Sequence, residues 1–305
     1  MQQFDHNQIS GELPLSLATL TTLTHISLIG NTLIGKLNRL LGKLSNLKVL
    51  TLEQNLITGP LPSEFGHMEQ LAKLGLSHNL MTGLFPSSIG KLTQLKEILL
   101  NENHLGSSLP TEIGLLMTLE RFEMNDNEIS GVLPTRKTTH VFHRFSLKCE
   151  ACLTILSPNF ANRTAEIGSL SQLRILNLGK CRISGKIPTE IGLCNSLQDL
   201  SLFYNGLRGS LPDELGNLKN LSILSLGGNN IDGAISTALA NARNLQELSL
   251  FDNRIQSEIP SELGELENLR FFSIHDNNAV IGSLPTELGL LANLQNLWAS
   301  NCTLT

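Results

Sequence analysis

Residues 47–68 read LKVLTLEQNLITGPLPSEFGHM, and the rest of the chain repeats this stretch. Its frame has apolar residues eight, five and three before Asn55 (Leu47, Leu50, Leu52), followed by Ile57, Gly59, Leu61, Pro62, Phe65 and Gly66. Asparagines recur every 24 residues at 7, 31, 55, 79, 103 and 127. The series resumes at Cys181, Asn205, Asn229, Asn253 and Asn277, and closes at Cys302 after a step of 25. Ten of the eleven prolines lie seven or eight residues after an anchor, with Glu150 counted as one; Pro60 does not. A fixed period of this size is the mark of a solenoid.

Each element of the frame has a physical reason. The L-x-L pair alternates with period two, which places both leucines on one face of a short strand. The anchor Asn carries donors and an acceptor for backbone groups of its own coil and the next. A small thiol in the same slot donates weakly, so Cys181 and Cys302 fit. Glycine four residues later permits a φ that other residues resist, and the following Leu-Pro favours an extended return path. One coil buries too little to offset the ordering of its own backbone, so stacking on neighbours must supply the rest.

The pattern L-x-x-L-x-L-x-x-N/C-x-L resembles the leucine-rich repeat. The added G-x-L/I-P-x-x-[LIF]-G tail is similar to the plant-type subclass of 24 residues. That subclass includes the ectodomains of receptor-like kinases and receptor-like proteins, and polygalacturonase-inhibiting proteins. The resemblance implies an α/β fold: a right-handed, curved solenoid with a parallel sheet on the concave face and short 3-10 or irregular turns on the convex side. It covers residues 1–305 as a single solenoid of about 13 coils. Thirteen strands at about 4.8 Å make a concave arc of roughly 58 Å.

Composition narrows the partners. The 305 residues hold 22 Lys+Arg against 27 Asp+Glu, a formal charge of −5, which argues against nucleic acid or an anionic membrane. No apolar run is long enough to span a bilayer, and MQQFDHNQISGELP has no signal-peptide pattern. Five cysteines are too few for a disulfide scaffold. Met1 begins inside a repeat and the chain stops three residues past Cys302. Both ends lack the caps a solenoid needs, which points to a fragment of a longer protein.

The period breaks between Asn127 and Cys181, a gap of 54 residues. A degenerate coil threads through 135–165, with Phe142, Phe145 and Leu147 at strand positions, Glu150 as anchor and Cys152 in the next core slot. The alternative is a stretch foreign to the repeat. His140, His143, Cys149 and Cys152 form a nominal zinc set, but Cys152 falls on a core slot and a metal needs convergent ligands. No metal or cofactor is therefore expected.

Outward positions on the concave face lie four, two and one before each anchor. Two groups stand out there. Glu102, Glu123 and Asp126 form an acidic patch suited to a basic segment of a partner. Phe203, Tyr204 and Phe251 flank the glycine-bearing strand of Gly227 and Gly228, which suggests a slot about two strand spacings wide. His275 and Trp298 continue that surface, and aromatic side chains are frequent binding anchors. Ser273, His275 and Asp276 evoke a hydrolase triad, but two residues on one strand face project in parallel and no oxyanion donors face them. Three N-x-S/T acceptors, at Asn162, Asn220 and Asn301, are weak markers of a secretory route. The expected function is non-catalytic recognition of a protein or peptide, at the cell surface or outside the cell. The alternatives are an intracellular scaffold and an inhibitor of a secreted glycoside hydrolase.

Overall fold

In the computed structural model, which describes residues 4–135 and 167–305, every L-x-L segment forms a short strand. His25–Ser27 (β1), Val49–Thr51 (β2), Lys73–Gly75 (β3), Glu97–Leu99 (β4) and Arg121–Glu123 (β5) come first. Ile175–Asn177 (β6), Asp199–Ser201 (β7), Ile223–Ser225 (β8), Glu247–Ser249 (β9), Phe271–Ser273 (β10) and Asn296–Trp298 (β11) follow. All eleven lie side by side in chain order in one sheet, and every neighbouring pair is parallel, as in Leu50↔Leu74. The central residue of each strand from β1 to β10 is buried, whereas its flanking residues turn outward. The result is a leucine-rich-repeat solenoid with the sheet on its concave face.

A single coil shows how the frame folds. Between Asn55 and Asn79, Ile57, Leu61, Phe65, Met68, Leu71, Leu74 and Leu76 are all buried. Pro62, extended at φ −64°, leads into a 3-10 turn at Ser63–His67. Proline fixes that φ and loses no donor at a helix start. Gly59 then adopts φ +76°, the left-handed conformation that its position was expected to need. A narrower set of parallel pairings runs beside the main sheet, as in Thr58↔Leu80 and Gly59↔Met81.

The anchor asparagines form a buried ladder. Asn79 Nδ2 donates to Leu52 O at 3.0 Å, Leu76 O at 3.0 Å and Ser77 O at 3.3 Å. Its Oδ1 accepts from Ile57 N at 2.9 Å. The inter-coil partners belong to the preceding coil, not the next as the sequence suggested. Cys181 Sγ keeps one of these bonds, to Met124 O at 3.4 Å. Burial pushes the Cys181 thiol up to about 11 and the Cys194 thiol up to about 12, so both stay protonated donors.

The thirteenth coil expected from Phe142, Phe145 and Leu147 lies outside the described residues, as do the nominal zinc ligands. β5 pairs directly with β6, Phe122 opposite Leu176, and Arg174 N donates to Glu120 O at 2.8 Å. The described coils on either side are thus one step apart, and the interval of 54 exceeds a step of 24 by 30 residues. The seam is visible: Ile167 N donates to Pro134 O at 3.3 Å, as Ile113 N does to Pro110 O at 3.1 Å. Joining Leu133-Pro134-Thr135 to Glu166-Ile167-Gly168-Ser169-Leu170 recreates the run from Leu109 to Leu116, except for Ser169 in place of Leu115.

Candidate functional site

The residue before each anchor bends the chain off the sheet. Among the described residues all of them have positive φ, from 48° at Lys180 and Asp252 to 69° at Gly228, and most are not glycine. Asn79 N reaches Glu102 O at 3.3 Å across this bend, so inter-coil bonding holds a backbone that costs about 1–2 kcal/mol per non-glycine residue. The same bend sets the direction of Tyr204.

Phe203, Tyr204, Phe251, His275 and Trp298 come together. Their ring centroids form an unbroken series: Phe203–Tyr204 at 6.0 Å, Tyr204–Phe251 at 5.7 Å, Phe251–His275 at 5.1 Å and His275–Trp298 at 6.1 Å. Phe271 adds a sixth ring, edge-on to Trp298 at 5.0 Å. The expected slot over Gly227 and Gly228 is closed. A Cβ on Gly227 would collide with the Phe251 ring, and one on Gly228 with the Tyr204 ring. The glycines let the rings of the neighbouring coils lean inward and meet. Tyr204 stays 49% exposed and Trp298 52%, so the ribbon is open to solvent at its rim.

The acidic group is organised differently. Glu123 is only 8% exposed; it accepts from Asn101 Nδ2 at 2.8 Å and pairs with Arg121 Nε. Asp126 pairs with Lys180 Nζ at 3.1 Å, and Glu102 Oε2 lies 2.9 Å from His78 Nδ1. These three carboxylates already have partners within the chain. Glu53, further toward the N-terminus, has no hydrogen-bond partner for its buried Oε2. Burial is the main cause that pushes its carboxyl above the usual range.

The three residues of the hydrolase motif do not form a triad. Ser273 is completely buried and its Oγ has no hydrogen-bond partner. His275 Nδ1 instead lies 2.6 Å from Asp276 Oδ2. The Asn301 amide, at 2.6 Å, and that ring hold the Asp276 carboxyl below the usual range. Among the described residues no group of His, Cys, Asp and Glu could hold a metal ion, and no helix is long and apolar enough to cross a membrane.

A leucine-rich-repeat region model matches residues 145–304, just over half of the chain, and a leucine-rich-repeat model matches residues 45–105. The chain belongs to the leucine-rich-repeat family. Among solved structures, this leucine-rich-repeat chain is similar to a TDR receptor, with 27% identity and a TM-score of 0.86 over 99% of this chain and 47% of that one. It is also similar to the ectodomain of the Arabidopsis receptor kinase HAESA, solved in complex with an IDA peptide hormone ligand. There the identity is 30% and the TM-score 0.84, over 98% of this chain and 45% of that one. A Leptospira interrogans leucine-rich-repeat protein is 30% identical, with a TM-score of 0.69 over 99% of this chain and 72% of that one. The chain spans a little under half the length of the two receptor chains. No curated protein sequence matches it.

Two features of this leucine-rich-repeat surface were missed in the sequence. The residue six before each anchor also faces outward, which brings Phe271 and Glu247 to the site. The period-two rule extended one step upstream would have found both. The covering of Ser273 had no signal in the sequence, because it depends on how rings from two strands pack.

Proposed function

We propose that this chain is a non-catalytic module of a receptor-like or secreted plant-type leucine-rich-repeat protein that binds a peptide or protein on its concave face, outside the cell. The reading rests on the aromatic ribbon from Phe203 to Trp298. Six rings from four strand segments form one surface, with the only Tyr, Tyr204, about half exposed in the interior of the sheet. Fully satisfied aromatic residues in a core have no reason to sit on the hydrophilic face of a solenoid, whereas rings held rigidly at an exposed rim suit recognition at little ordering cost. The HAESA ectodomain, which shares this fold, holds a peptide hormone, and that lends the peptide class its support. Phe203, Tyr204, Phe251, His275 and Trp298 are the anchors in this reading. Glu102, Glu123 and Asp126 are secondary, since their charges are already paired.

The test is capture of peptides from a randomised display library of 12-residue peptides. Enriched peptides should lose at least tenfold in affinity on Phe203→Ala/Phe251→Ala, with far-UV circular dichroism and melting temperature unchanged. Undiminished binding by that variant would remove the ribbon as the site.

A further inference from the structure

The outward faces of β7 to β11, with the two residues before each of their anchors, carry no Lys or Arg. They carry carboxylates on both sides of the rings. Asp199 and Glu247 stand on the upstream flank, and Asp252 and Asp276 on the downstream flank. Asp199 accepts from Ser201 Oγ at 2.6 Å, and Asp276 is bonded to His275 and Asn301. Glu247 and Asp252 are exposed and, among the described residues, neither has an ion-pair or hydrogen-bond partner for its side chain. The acidic patch around Glu123 differs, because Arg121 and Lys180 neutralise it. Apart from the half-buried Glu53, the unpaired carboxylates of the described concave face therefore lie beside the aromatic rings.

A second observation on the same face points to a polar ligand. Ser273 lies on the outward side of β10, opposite Trp298 in register. It is 0% exposed and its hydroxyl is unpartnered. Its strand neighbours on that face, Phe271 and His275, both contact the Trp298 indole. Among these rings lies a hydroxyl that has lost water and gained nothing in return, which is unfavourable.

We propose that the face from β7 to β11 recognises a basic, extended peptide. Its Lys or Arg side chains sit against Glu247 and Asp252, and its main chain hydrogen-bonds the Ser273 hydroxyl when the Trp298 indole swings aside. This rests on the peptide-recognition reading above and adds the charge of the ligand and its polar anchor. An extended peptide lying along the solenoid axis sends alternate side chains to opposite flanks, where one unpaired carboxylate waits on each side. Exposed Tyr204 and Trp298 offer ring faces to the same cations.

The experiment uses the whole chain and the same library of random 12-residue peptides. Enriched sequences should be rich in Lys and Arg. Glu247→Gln/Asp252→Asn should weaken them about tenfold or more, with unchanged melting, and Ser273→Ala should weaken them by a smaller factor. Trp298 is the single tryptophan, so its emission should shift as a basic peptide titrates in. Neutral or acidic peptides that bind and are lost on Phe203→Ala/Phe251→Ala would overturn this inference and leave the recognition reading standing. Basic peptides that bind the Glu247→Gln/Asp252→Asn variant at full strength would also overturn it. No enrichment of any peptide would overturn the peptide reading itself.

Discussion

Asn79 makes four backbone hydrogen bonds through one amide while 5% exposed. Alanine in its place strands buried carbonyls and an N–H, each costing about 1–3 kcal/mol. Asn79→Ala should therefore lose about 3 kcal/mol or more in urea unfolding. Asn79→Cys should lose less, because Cys181 shows that a thiol keeps one inter-coil bond. Gln54, at φ 56°, makes the opposite case. A non-glycine residue there costs about 1–2 kcal/mol, against a glycine entropy cost of about 0.5–1 kcal/mol. Gln54→Gly should leave the unfolding midpoint unchanged or higher, where glycine in a regular strand would lower it. Glu53 sets a pH slope. Its carboxyl titrates above the usual range in the fold, so the folded state binds the proton more tightly than the unfolded chain. Stability should fall as pH rises through the ordinary carboxylate range into the raised one. Glu53→Gln should flatten that fall, read from urea midpoints at pH 4 and pH 7.

At the scale of the element, the glycine-bearing strand governs its neighbours. Gly227 and Gly228 follow β8 and leave room for the Phe251 and Tyr204 rings, which meet above them at 5.7 Å. The residue types of this arrangement were legible, but the slot drawn from them was not correct. Spacing along strands gives the positions of Cα atoms, whereas ring direction follows from the positive-φ bend at Tyr204 and from empty volume over the glycines. Gly227→Ala should push the Phe251 ring away and alter the near-UV circular dichroism of the aromatic series, with the far-UV spectrum preserved. An unaltered near-UV spectrum would mean that the rings do not lean over this strand.

At the scale of the molecule, stability is a sum over coils and their interfaces, so a break in period matters only if it interrupts stacking. It does not: β5 and β6 are neighbours, and the Pro134–Ile167 bond closes the coil across the 30 additional residues. Deleting residues 136–165 restores a 24-residue interval from Asn127 to the next anchor. The shortened chain should fold with an undiminished melting temperature, and loss of cooperative unfolding would show that the coil needs more than its two flanks. The sequence read by itself was enough for the repeat, the strand faces, the anchors and the turn prolines, because each coil sees almost the same neighbours and local pattern maps directly onto three-dimensional position. It also brought Phe203, Tyr204, Phe251, His275 and Trp298 to one face. Only the tertiary structure decided that those rings touch, that Glu102, Glu123 and Asp126 are internally paired, that Ser273 is buried, and that the strands on either side of the irregular interval pair directly. Those properties arise from side chains of different coils competing for the same volume and the same charge, which no period along a single chain encodes.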